Sequence, residues 1–74
     1  SLWKDKFVQI RIDDKGDIIL IPREGKERFI IGQPCDIEEK VQKMGMYYTH
    51  ILPEKGSGKY KSVDLRFKGQ IVCR

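Results

Sequence analysis

The sequence holds a single histidine and only two cysteines in 74 residues. His50 has no second imidazole to work with, and Cys35 and Cys73 match no metal-ligand spacing. A disulfide between them stays open, because pairing is a matter of geometry and of an oxidising compartment. As free thiols they read as small, buried or half-buried apolar residues. Long apolar runs are also lacking. The longest, Ile18 to Ile21, is far too short to span a bilayer. No signal peptide is visible in this segment, and a membrane anchor, if the parent protein has one, is expected outside it. No block of like charges forms a tail: fifteen Lys and Arg are interleaved with eleven Asp and Glu, for a net charge of +4. That balance suits a solvated surface and argues only weakly for a nucleic-acid partner.

Catalytic signatures are missing as well. Ser57 and Ser62 lack the strand–turn–helix setting of a nucleophile. Gly56-Ser57-Gly58 is too short for a phosphate loop and no helix follows it. Asp13, Asp14 and Asp17 lie in a turn without the spacing or the closing glutamate of a calcium loop. His50, near a helix end, reads as a capping or packing residue. No catalytic residue, metal site or cofactor is indicated.

What the sequence has in quantity is β-alternation. In residues 7 to 12 (FVQIRI), Val8, Ile10 and Ile12 alternate with Gln9 and Arg11, as on a strand with one buried face. Asp13 to Asp17 is a polar cluster with Gly16 placed for positive φ, which predicts a hairpin. Asp17 to Pro22 is the return strand, with Pro22 at its end. A second turn at Arg23 to Glu27 leads to a third strand, Arg28 to Ile31, stopped by Gly32 and Pro34. A helix follows. Asp36 and Glu39 have capping-box spacing, and Ile37, Val41, Met44, Tyr48 and Ile51/Leu52 form one apolar face. Glu38, Glu39, Lys40, Gln42 and Lys43 fill the opposite face, and Tyr47 and Tyr48 read as core and core edge. Gly45 either permits close packing on the sheet or ends the helix early, and Pro53 stops the pattern at the latest. After a flexible loop, Tyr60 to Phe67 alternates again, with Val63, Leu65 and Phe67 on one face and Asp64 and Arg66 on the other. Lys68-Gly69 forms a tight turn or bulge before a last strand, Gln70 to Arg74. The expected fold is α+β: an antiparallel β-sheet in β-β-β-α-β-β order with one amphipathic helix packed on one face.

A single unit of this size buries a modest core, and the strand-like pattern runs close to both ends. Residues 1–74 are therefore expected to be a fragment of a larger domain.

The terminal stretch YKSVDLRFKGQIVCR is similar to the last strand region of the FtsQ/DivIB cell-division family, which carries Y-x-x-[VI]-D-L-R-[YF]. Tyr60, Val63, Asp64, Leu65, Arg66 and Phe67 match it. Upstream, Val8 to Ile12, the Gly16 hairpin, and Phe29-Ile30-Ile31-Gly32 before the helix IEEKVQKM follow the family's order of elements, and the details resemble the Bacteroidetes branch. The resemblance implies the C-terminal half of an FtsQ-like β-domain, associated with a POTRA domain and anchored in the inner membrane by a helix outside this segment. It implies a location on the periplasmic side at the division septum, and a non-enzymatic divisome scaffold. That scaffold would bind division proteins of the FtsB/FtsL type by adding their strand to the last strand region. Carried over by position, the partner-binding residues are Asp64, Arg66, Phe67, Lys68, Gly69 and Gln70. Arg66 is suited to a bidentate carboxylate contact and Phe67 to an aromatic anchor. The plainer reading keeps Phe67 in the core with Val63 and Leu65, and pairs Asp64 with Arg66 for little energy. The alternatives are a small basic nucleic-acid-binding β-domain, which needs Lys and Arg beside exposed aromatics on one sheet face, and an enzyme fragment lacking its site.

Overall fold

A computed structural model describes residues 7–56 and 58–74; Ser57 lies outside the described residues. The alternating segments form strands β1 (Phe7–Ile12), β2 (Ile18–Pro22) and β3 (Arg28–Gly32). A helical segment follows, composed of α1 (Ile37–Met46), a π-helical turn (Tyr47–Ile51) and α2 (Leu52–Lys55). Two short strands, β4 (Ser62–Asp64) and β5 (Val72–Cys73), complete one five-stranded sheet in the order β1-β2-β3-β4-β5.

The β1–β2 hairpin closes as its composition requires. Gly16 donates its N–H to the Asp13 carbonyl (3.0 Å) and holds φ 85°. The Asp13 carboxylate accepts from the N–H groups of Lys15 and Asp17, at 2.9 Å each. Pairing is antiparallel except between β3 and β4, which run parallel. This departs from the all-antiparallel expectation. The helical segment crosses over the sheet between those two strands and returns the chain to its starting end, and a parallel pair requires such a crossover.

The register places Ile10, Leu20, Phe29, Val63 and Cys73 in one cross-sheet row. Phe29, Ile31, Val63 and Leu65 from the sheet, with Met44 and Tyr47 from the helix, form the buried core. Phe29 is fully buried and meets Phe7 and Tyr47 edge-on, with centroids 5.8 and 5.5 Å away.

The helix departs from its expected pattern in four ways. Asp36 sits in the left-handed region (φ 53°) and makes no side-chain cap bond, so the capping box does not form. Lys40 and Lys43 are buried rather than on a solvent face. Each precedes a core residue by one turn (Met44 and Tyr47), and i,i+4 neighbours share a face. The Lys40 Nζ uses that position to donate to the Gln33 carbonyl at 3.0 Å. Gly45 faces open space, so it allows no close approach to the sheet. The helical segment also continues past Pro53 to Lys55. Pro53 has no N–H to donate, and the wider π turn just before it absorbs the missing bond. Tyr47 is more deeply buried than Tyr48, because it follows Met44 by three residues and Lys43 by four and so shares their buried face. The Tyr47 hydroxyl donates to the buried Glu27 carboxylate at 2.7 Å, which ties the β2–β3 turn to the helix. Burial raises both tyrosines, and Tyr48 reaches about 12.

Candidate strand-addition site

The C-terminal segment is built around a buried carboxylate. Asp64 ends β4 and is fully buried. Its Oδ1 accepts from Arg66 Nε (2.9 Å) and from the Arg66 backbone N–H (3.1 Å), and its Oδ2 accepts from Arg66 Nη2 (2.6 Å). Arg74 Nη1 lies 3.5 Å from the same Oδ2, and Arg66 Nη1 reaches Asp17 at 3.3 Å. Burial alone would raise the Asp64 carboxyl. The hydrogen bonds and charge of Arg66, with Arg74, outweigh it and hold the group below the usual carboxylate range. The Arg66 stem crosses Gly32 so closely that a Cβ there would lie 2.8 Å from Cγ. Gly32 also holds φ 78°, so two independent constraints favour glycine. The D-L-R run is thus an internal clasp joining β4, the C-terminus and the β1–β2 hairpin. Asp64 is not itself exposed, and it can influence a partner only through the two arginines it orients.

Beyond Asp64 the chain leaves the sheet. Leu65 stays in the core and its N–H donates to the Ile30 carbonyl (3.0 Å). Alternation then stops, and Phe67 is exposed (43%) instead of continuing the Val63–Leu65 face. The Arg66 guanidinium lies 5.6 Å from the Phe67 ring centroid. Lys43 secures this loop from below: its Nζ donates to the carbonyls of Leu65 (3.3 Å) and Phe67 and pairs with Glu39 at 3.1 Å. Glu39 in turn accepts from the Gly69 N–H (3.5 Å), and the Lys43 and Gly69 bonds lower its pKa. Between α1 and residues 68–71 lies a groove of about 500 Å³, with Gln42 and Met46 on one wall and Lys68, Gln70 and Ile71 on the other.

The groove leads to β5, which pairs with β4 on one side only and ends the sheet. Arg74 exchanges N–H and C=O bonds with Ser62 (3.0 and 3.2 Å), so it faces inward. By antiparallel alternation Val72 also faces inward, and the N–H and C=O of Cys73 and Ile71 face outward. Exposed Lys68, Arg66 and Arg74 surround this edge with positive charge. Cys35 and Cys73 are both free thiols; Cys35 is exposed, and burial raises Cys73. Of the six residues carried over from the resemblance, Phe67, Lys68, Gly69 and Gln70 lie on the exposed turn beside the β5 edge. Asp64 lies buried behind it, and Arg66 supports the turn while its own side chain stays partly exposed. Sequence reasoning missed Lys43, whose role is marked only by its i,i+4 relation to a core tyrosine.

Among the described residues, no group of His, Cys, Asp or Glu is placed to hold a metal ion. No helix among them is long and apolar enough to cross a membrane. No curated protein and no solved structure matches the chain. A family model described as FtsQ/DivIB, C-terminal related, matches residues 1–74. The whole described sequence thus falls within that match, and the chain belongs to the FtsQ/DivIB C-terminal related family, a family of cell division.

Proposed function

We propose that this chain is a non-enzymatic scaffold module of the divisome, and that its β5 edge takes up one strand of an acidic, partly apolar segment from a division protein of the FtsB/FtsL type. In this reading residues 1–74 are the C-terminal half of a larger extracytoplasmic β-domain, on the periplasmic side of the inner membrane at the septum. The observation that carries the reading is the one-sided pairing of β5. A visiting strand bonds to the outward groups of Ile71 and Cys73, gaining affinity from the main chain and selectivity from the flanking side chains. Phe67 anchors an apolar residue, Lys68 and Arg74 attract acids, and the groove beside Met46 and Ile71 receives the segment's continuation. Attraction by exposed charges speeds encounter and weakens with salt.

Capture of the FtsB/FtsL-type partner by the full chain tests this. Phe67→Ala is expected to weaken capture about tenfold or more. Cys73→Pro removes one outward N–H while sparing the inward ladder, and is expected to do the same. Both variants should keep the wild-type far-UV spectrum. Capture at wild-type strength by both would end the proposal. The nucleic-acid alternative has less support. On the sheet face opposite the helix, Arg11 and Arg28 flank Ile19 and Ile30, and no aromatic ring among the described residues joins that row.

A further inference from the structure

The turn from Phe67 to Gln70 already holds a carboxylate, and that carboxylate is the chain's own. An ammonium carries three N–H donors. Those of Lys43 meet the Leu65 carbonyl at 3.3 Å, the Phe67 carbonyl, and Glu39 Oε2 at 3.1 Å. The two carbonyls fix the ammonium beneath the loop, and Glu39 takes the remaining donor from the wall of the groove between α1 and residues 68–71. The same Oε2 accepts from the Gly69 N–H at 3.5 Å, with the charge of Lys68 close by. An ammonium and a backbone N–H thus meet at one oxygen, with a second ammonium nearby. That is a seat for an anion, built wholly from residues 39–69 and independent of what lies beyond either end of the sequence. Its two halves are unequally held. The Lys43 side chain is 8% exposed and that of Glu39 is 40% exposed. One ion pair and one long hydrogen bond keep Glu39 in place, so it can swing out to solvent, and Lys43 cannot follow.

We infer that Glu39 is an internal competitor for the acidic segment: it fills the seat formed by Lys43 and the Gly69 N–H in the free chain, and a carboxylate of the bound segment displaces it. The inference rests on the strand-addition reading and names the residue that sets its demand for acid. A buried ammonium left without an anion is costly, so a neutral visitor gains nothing by pushing Glu39 aside. A visiting carboxylate replaces charge with charge and keeps both donors satisfied. The seat lies in the groove that leads to β5, within reach of the continuation of a strand added there. Exchange of this kind favours selectivity over tightness. An acidic segment recovers what Glu39 gives up, whereas an apolar segment meets a seat already filled. Glu39 also offsets part of the positive charge of Lys43 and Lys68, which weakens the pull on any anion that lacks the rest of the segment.

Calorimetric titration of the full chain tests the exchange, using a synthetic acidic FtsB/FtsL-type segment and the same segment with Asn and Gln in place of its Asp and Glu. Glu39→Gln leaves a neutral occupant of the same shape. It is expected to tighten the acidic segment about fivefold and to leave the neutral one unchanged. Glu38→Gln makes the same change in net charge at an exposed position outside the groove, and is expected to tighten the acidic segment by less than about twofold. A second readout needs no substitution. In the wild-type chain the Glu39 side-chain carboxyl resonance should move on binding while the Gly69 amide stays near its free position, because one carboxylate takes over from another. Equal effects of the two substitutions, or a Glu39 resonance that binding leaves unmoved, would overturn the inference and leave strand addition standing. A wild-type chain that takes up neither segment would overturn strand addition, and the exchange with it.

Discussion

Replacing Arg66 with leucine is expected to lower the unfolding free energy by about 3 kcal/mol. Leucine keeps apolar bulk over Gly32 but removes the Nε and Nη2 donors at 2.9 and 2.6 Å. Asp64, fully buried, then retains one backbone N–H and Arg74 at 3.5 Å. An uncompensated buried carboxylate is far costlier than a surface ion pair, so the low worth usual for exposed pairs does not apply to Asp64. Arg66 is itself partly exposed, which places the loss at the low end for buried pairs. In a domain of this size, about 3 kcal/mol is a large share of total stability. The pH dependence has a defined sign. The folded-state pKa of Asp64 is depressed, so its contribution is complete above the unfolded value of about 3.9 and disappears as pH falls through the folded value. The gap between wild type and Arg66→Leu should therefore narrow in urea titrations as pH falls below the unfolded value and through the depressed folded one. Asp64→Val combined with Arg66→Leu should recover most of the loss. A gap independent of pH would show that Arg66 acts through packing alone.

The second large effect is expected at Lys43. Lys43→Met keeps the length and apolar stem but leaves the Leu65 and Phe67 carbonyls without the Nζ donor. The expected cost is about 2 kcal/mol, the scale of a lost buried bond to a charged group. The same change frees the loop that displays Phe67, so partner capture should weaken beyond what global stability explains. Chemical denaturation gives the first quantity, partner capture the second, and amide chemical shifts at Leu65 to Gly69 report the release of the loop. A change below about 0.5 kcal/mol with unmoved shifts would mean that the loop is held by other contacts.

Lys43 reads as surface and is buried, whereas Ile10 and Ile12 read as one buried strand face and are exposed, because the helix covers β3 and β4 and does not reach β1. Alternation and a turn glycine define the β1–β2–β3 meander locally, because hairpin partners are near neighbours in the chain. The helix is likewise legible from its apolar spacing. Lys40 and Lys43 were not, because a lysine inside the apolar half of a helix looks like surface until its ammonium is seen against a carbonyl. Alternation puts Phe67 on the Val63–Leu65 face, but that period applies only while the strand lasts, and the strand ends at Asp64. The parallel β3–β4 pair and the Glu27–Tyr47 bond join residues distant in the chain, which no local pattern encodes. In the D-L-R run, sequence reasoning allowed both a partner contact and an internal pair. The geometry makes Arg66 the holder of Asp64 and leaves the exposed turn from Phe67 to Gln70 as the accessible part.

The most direct test of strand addition is amide hydrogen exchange along β5, measured with and without an acidic FtsB/FtsL-type segment. In the free chain, Ile71 and Cys73 should exchange quickly and Val72 and Arg74 slowly; the bound segment should protect Ile71 and Cys73. Protection at those two amides before any partner is added, or protection that appears only at β1, would contradict it.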